Sequence, residues 1–346
     1  MKKSIAYITS GLQLLNLVEA IHYHQCTENY VIIGHNSVFP ERIRQLKKFL
    51  HDPFIKKNFK KIFYLPARAD SKSPFRFVEY VLGSVELFFI FLFIRKIDFL
   101  FLSLYTFLYQ RQSTFLASSF NKKVELWSID EGCSIIEIVN QRNKLLSEDF
   151  FETQKKRNWI VGYYNRIRGK NSQPLQLHFF SAFDLQVKGK DVYIKNTMSY
   201  WKENNPYAYK FHENAVVFIG HPLVDSNFVT EESYKNYLTK MFHDAAHHKI
   251  YYFPHPIETR YNEFLPDGIE IVKTPLPAEL LLLGSNIKSI IGFDSTVLYN
   301  AAALNICHDI TSYWINSSDY LRTPNMEARN NLKKTFEEIN IKIILL

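Results

Sequence analysis

The feature that most limits what this chain can fold into is its alternation of short apolar runs with helix-spaced segments. IAYITS (5–10) leads into GLQLLNLVEAIHYH, where Leu14, Leu17, Val18 and Ile21 recur at helical intervals. YVIIGHNS, a basic helix near 40–50, KIFYLPA, IDFLFLSL, a helix near 107–120 and VELWSID continue the series. After a polar stretch it resumes with AVVFIGHP, a helix near 230–247, KIYYFPHP, IEIVKTP, a helix near 277–285, and IKSIIGFDST leading into VLYNAAAL. Strands separated by helices pair through crossovers, which gives parallel βαβ units and doubly wound sheets. In such a sheet, groups that meet a ligand gather at the carboxyl ends of the strands.

Two series imply an α/β protein with two Rossmann-like, doubly wound domains. The expected boundaries are 1–175 for the first domain, 176–213 for an irregular linker or cleft-edge segment, and 214–346 for the second. The last helix is free to pack back on the first domain. At 346 residues, two domains of ordinary size are the natural division. Hydrophobic residues at 47% and charged residues at 22% fit a folded globular chain rather than a disordered one. Cys26, Cys133 and Cys307 are odd in number and widely spaced, which fits neither a disulfide framework nor a zinc site and points to a reducing compartment.

Charge is uneven. Residues 1–128 hold 18 Lys and Arg against 9 Asp and Glu, whereas the remainder holds 24 against 25. Clusters at Arg42, Arg44, Lys47 and Lys48, and at Lys56, Lys57, Lys60 and Lys61, would attract phosphate or another anion, or simply form a solvated helix face. The start, MKKSIAYITS, reads as a first strand and not as a signal peptide. Val81 to Ile94 is apolar but shorter than a span of ~20 residues and contains Glu86, so a helix packed in a core is preferred over one lying on a membrane.

Four strand-end turns carry the candidate chemistry. Asp130-Glu131-Gly132 places two carboxylates side by side, where crowding and burial raise a pKa toward the working range of a general base. Helix capping by Asp130 is the bland alternative. In Phe253-Pro254-His255-Pro256 the two prolines stiffen the backbone around an imidazole that could donate to a phosphate. Gly292-Phe293-Asp294-Ser295-Thr296 brings hydroxyls and the positive end of a helix to one point, suited to a phosphate or explained by capping alone. Gly220-His221-Pro222, with Asp225 following, is the fourth, and a plain turn would also account for it. His243, His247 and His248 share a helix face but lack an H-E-x-x-H pattern or a nearby acid, so no metal is expected.

Taken together and in this order, the motifs resemble those of the bacterial lipooligosaccharide sialyltransferases (glycosyltransferase family 52), and more distantly those of the bacterial polysialyltransferases. The shared pattern is an acidic pair followed by glycine, then a His-Pro, then a Ser/Thr pair. Here these are Asp130-Glu131-Gly132, His255-Pro256 and Ser295-Thr296. FLFLSL and IGHP also look like the family's patterns, and the likeness runs from about residue 5 to about 305, the central segment matching poorly. The resemblance implies a GT-B fold, two Rossmann-like domains facing a cleft. It implies inverting, metal-independent transfer from CMP-sialic acid to a surface glycan such as a glycolipid, with no cofactor. His255 would hold the leaving phosphate, Ser295 and Thr296 its other oxygens, with Gly220, Pro256 and Gly292 completing the donor site. The base falls to Asp130 or Glu131 in preference to Asp225.

The resemblance is compatible with a homodimer. A cytoplasmic enzyme in peripheral contact with anionic membrane through its basic first domain would fit the charge. Another donor, CMP-Kdo or a UDP-sugar, is the nearest alternative reading. A non-catalytic glycan-binding or nucleic-acid-binding protein is a further one, though no RNA- or DNA-binding signature accompanies the lysines, so no nucleic-acid partner is expected.

Overall fold

The computed structural model describes residues 1–34, 40–65, 82, 85–87, 89–90, 92–94, 96–103, 124–130, 132–144, 176–245, 247–322 and 325–346. The chain divides into two compact units, Met1–Asn196 and Thr197–Leu346.

In the first unit, β1 (Lys3–Ile8), β2 (Glu28–Ile33), β3 (Lys61–Tyr64), β4 (Phe99–Leu102), β5 (Glu125–Ile129), β6 (His178–Ser181) and β7 (Val192–Lys195) form a parallel sheet in the order β3-β2-β1-β4-β5-β6-β7. The central strands are buried along nearly their whole length. That is why they read as continuous apolar runs rather than alternating ones. Helix Gly11–Tyr23 starts at Ser10, whose side chain accepts from Gln13 N, and buries Leu14, Leu17, Val18 and Ile21.

The second unit repeats the plan. β8 (Val216–Ile219), β9 (Ile250–Phe253), β10 (Glu270–Ile271), β11 (Ser289–Gly292), β12 (Asp309–Trp314) and β13 (Lys342–Leu345) are parallel and ordered β10-β9-β8-β11-β12-β13. Each sheet therefore runs outward in two directions from its first strand, and strand order reverses between β1 and β4 and between β8 and β11. Such switch points open the crevices in which α/β sheets take ligands. One face of the second sheet packs Phe218, Tyr252 and Ile291 against Tyr234, Leu238, Met241 and Phe242 of helix Glu231–Asp244.

Three expectations need correction. Residues 176–213 are not simply a linker, because β6 and β7 complete the first sheet. β7 is half-buried throughout, so it lacks an apolar run. Its start is tied to helix Ser134–Lys144 by the buried ion pair of Arg142 with Asp191, which also accepts from Leu177 N at 3.0 Å. The last helix, Met326–Glu338, packs within the second unit: Phe336 is fully buried against Tyr299 and Trp314, and β13 follows it beside β12.

The apolar stretch near 81–94 is not wholly core. Leu87 and Ile94 are buried, whereas Leu82, Val85, Leu92 and Phe93 are exposed. No helix among the described residues is long and apolar enough to cross a membrane. The helix expected near 107–120 lies outside the described residues.

Candidate functional site

Sheet order does most of the work of assembling the second unit's motifs. β9, β8 and β11 are adjacent, so their carboxyl ends bring the Phe253–Pro256, Gly220–Asp225 and Gly292–Thr296 turns side by side. These turns hold seven of the nine residues singled out from sequence. His255 Nδ1 accepts from Ile257 N at 3.3 Å. A nitrogen that accepts is unprotonated in the neutral ring, so the hydrogen sits on Nε2 and is preset as a donor. Pro256 beside it is exposed.

Behind the histidine lies a group that sequence reasoning missed. The Glu258 residue is 7% exposed, and its carboxylate receives three hydrogen-bond donors from three neighbours. Tyr252 and Tyr234 hydroxyls donate to Oε1 at 2.7 and 2.9 Å, and His255 N donates to Oε2 at 3.1 Å. Burial is the largest influence and pushes this carboxyl up to about 7, although its hydrogen bonds pull the other way. The cluster also explains Gly220. A Cβ there would stand 2.4 Å from Glu258 Oε2 and 2.6 Å from the Tyr252 hydroxyl. Gly292 is likewise required by a close approach, since its Cβ would lie 2.9 Å from the Ile219 carbonyl. Both glycines thus serve packing between strand ends.

Ser295 caps helix Thr296–Ala303, its Oγ accepting from Val297 N at 3.3 Å. An accepting hydroxyl keeps its hydrogen for another partner, so capping and ligand binding are compatible. Asp294, Ser295 and Thr296 are half-buried. Asp225 ties two turns together: Oδ2 accepts from Thr259 N at 3.0 Å and Oδ1 from Thr259 Oγ1 at 2.5 Å. Both carboxylate oxygens are therefore already engaged, which fits a loop clamp better than a free base.

In the first unit, Asp130 directly follows β5 and is 3% exposed. Oδ2 accepts from Ala182 N at 2.7 Å, and its main-chain carbonyl accepts from Asn16 Nδ2 at 3.2 Å. Asn196 Nδ2 donates to Asn16 Oδ1 at 2.9 Å, extending the buried network to the end of β7. Oδ1 is buried without a hydrogen-bond partner among the described residues. Burial pushes this carboxyl up to about 7, against the pull of the Ser181 and Ala182 hydrogen bonds. Glu131 lies outside the described residues. Among the described residues, no group of three or more His, Cys, Asp or Glu could hold a metal ion.

Two parallel α/β units, each with its candidate turns at strand ends, define the GT-B architecture of nucleotide-sugar glycosyltransferases and epimerases. UDP-GlcNAc 2-epimerase from Methanocaldococcus jannaschii shares it, at 16% identity over 100% of this chain and 89% of its own, with a TM-score of 0.52. So does LpCGTa, solved in complex with UDP, at 11% identity over 99% and 84%, also with a TM-score of 0.52. These likenesses describe the fold. No curated protein matches the sequence. The family model for alpha-2,8-polysialyltransferase (POLYST) matches residues 4–314, and the chain belongs to that family. It is a sialyltransferase-like glycosyltransferase. Of the two resemblances drawn from its motifs, the one that is matched is polysialyltransferase, not the lipooligosaccharide family.

Proposed function

We propose that this chain transfers sialic acid from CMP-sialic acid to a bacterial surface glycan of capsule type, with inversion at the anomeric carbon. The observation that carries the reading is that a preset imidazole donor, His255 Nε2–H, and the hydroxyls of Ser295 and Thr296 follow the carboxyl ends of β9 and β11, the two strands that flank β8. That set suits a phosphate, and membership of the polysialyltransferase family supports sialic acid, carried on a cytidine nucleotide, as the sugar transferred. The acceptor hydroxyl oxygen forms the new bond to the anomeric carbon. The bond from that carbon to the phosphate oxygen breaks, and CMP leaves with its electron pair. His255 donates to the departing phosphate and offsets its growing charge.

The acceptor's proton goes to the acidic pair. Asp130 is buried and held by Ala182 N–H, which suits it to fixing the turn, and the role of base is assigned to Glu131. Asp225 is not favoured, since Thr259 occupies both of its oxygens. Peripheral contact with anionic membrane finds support in exposed Leu82, Leu92 and Phe93, with Lys61 Nζ 4.1 Å from the Phe93 ring. Flotation with vesicles containing anionic lipid should retain the protein, and vesicles of neutral lipid should not.

The deciding experiment measures nucleotide release from CMP-sialic acid, CMP-Kdo and UDP-GlcNAc, with and without a sialylated oligosaccharide. CMP release from CMP-sialic acid that rises with acceptor is expected. Turnover of UDP-GlcNAc alone would replace this reading with a UDP-sugar transferase.

A further inference from the structure

One imidazole at the centre of these turns has no role so far. His221 follows β8, the strand between β9 and β11, so it stands between His255 on one side and Asp294-Ser295-Thr296 on the other. Its ring is 6.2 Å from that of His255 with the planes 29° apart, and 6.2 Å from the edge-on ring of Phe293. The main chain beneath it packs on Tyr234, whose hydroxyl oxygen lies 3.3 Å from the His221 carbonyl oxygen. Pro222 and Leu223 after it are buried.

The two histidines differ in one respect. His255 has its tautomer set by Ile257 N–H. His221 Nδ1 is buried and has no hydrogen-bond partner among the described residues. Buried polar atoms are nearly always paired, and an orphan at a strand-end turn marks a site that a ligand or its bound water completes. Among the described residues no group selects which nitrogen carries the hydrogen, so a ligand oxygen can select it. The titratable groups around the ring are His255 from the β9 turn, Asp294 from the β11 turn, and Glu258 beneath Gly220. Burial lowers the proton affinity of His221, and Asp294 raises it.

We propose that His221 is a second catalytic histidine of the donor site, and that its imidazole and that of His255 flank the phosphate that leaves. His255 acts as a fixed donor. His221 acts as an adaptable one that takes a proton from solvent when the phosphate enters, and Asp294 balances the resulting imidazolium. This assignment rests on the proposed CMP-sugar donor.

The test compares calorimetric binding of CMP and of cytidine to the full chain and to His221→Asn and His221→Gln. Cytidine lacks the phosphate, so it reports the rest of the site. Both variants should lose tenfold or more in CMP affinity and keep cytidine affinity within twofold. Proton uptake on CMP binding, read in two buffers of different ionisation enthalpy, should be present in the unaltered chain and absent in the variants. Variants that bind CMP and turn over donor like the unaltered chain would overturn the role of His221 and leave the proposed transferase standing. An unaltered chain that binds neither CMP nor cytidine would overturn the donor assignment, and this role with it. Where neither variant folds, the imidazole nitrogen resonances of the unaltered chain decide: CMP must shift those of His221, and unmoved resonances refute the role.

Discussion

Among the described residues, the turns after the carboxyl ends of the strands bury one acid in each unit, Asp130 and Glu258, and they do so in opposite ways. In the first unit the buried acid, Asp130, is itself the motif residue, with one oxygen bonded to Ala182 N and the other without a partner among the described residues. In the second unit the motif residue is His255, and the buried acid, Glu258, stands behind it with donors on both oxygens. Both carboxyls are pushed up to about 7 by burial. The same cost of burial therefore accompanies two different designs. A fully bonded acid makes a rigid platform that aims an imidazole at a fixed point, as a site that grips a phosphate requires. Asp130 fixes its turn through one oxygen alone, the one that accepts from Ala182 N.

Substitutions can break this contrast in order of expected effect. His255→Ala should lower donor turnover by roughly 10³-fold, because it removes the preset donor to the leaving group. Steady-state CMP release at a fixed thermal unfolding midpoint checks it. Glu131→Gln should cost about 10²-fold or more, and Asp130→Asn clearly less, if Glu131 rather than Asp130 meets the acceptor. Equal losses would return the base to the pair as a unit.

Glu258→Gln comes next. An amide that keeps its oxygen toward His255 N turns its NH₂ toward the tyrosine hydroxyls, which must then accept where they had donated, and about 1–3 kcal/mol of stability should be lost. Asp130→Asn can turn its amide nitrogen to the unpartnered side and should leave the fold intact by chemical denaturation. The pH dependence sharpens the same point. Each folded pKa stands above its unfolded value, so the native state binds more protons between about pH 4 and 7. Stability from these groups is therefore present below that window and declines as pH rises through it. The unfolding midpoint of Asp130→Asn should gain on the unaltered chain as pH rises from 5 to 8. The smallest expected effect is that of Ser295→Ala, about 1 kcal/mol from the lost helix cap, together with a rise in donor KM.

Much of this was legible in the sequence, and the exceptions have physical causes. The central strands were found because a parallel sheet covered on both faces demands continuous apolar runs, as in IAYI and VVFI. β7 escaped because Val192–Lys195 is half-buried and polar-flanked. β12 and β13 were missed because DITSYW mixes polar with apolar residues, although five of the six are buried. The strand-end motifs were visible, but the groups that support them were not. Glu258 lies three residues after His255, and a lone acid in a turn gives no sign that Tyr234 and Tyr252 point their hydroxyls at it. Gly220 and Gly292 were read as ligand contacts, whereas what demands glycine is the approach of Glu258, Tyr252 and Ile219. Distances across neighbouring strands exist only once the register is set.

The central claim is that the second unit's strand ends grip the phosphate of a CMP-sugar while sialic acid passes to an acceptor. Its most direct test follows CMP-sialic acid with a short α2,8-linked sialic acid oligomer as acceptor, resolving the products by chain length. Oligomers lengthened by one or more residues with matching CMP release, both lost in His255→Ala, are predicted by this account. Unchanged oligomers, or equal lengthening by His255→Ala, would contradict it.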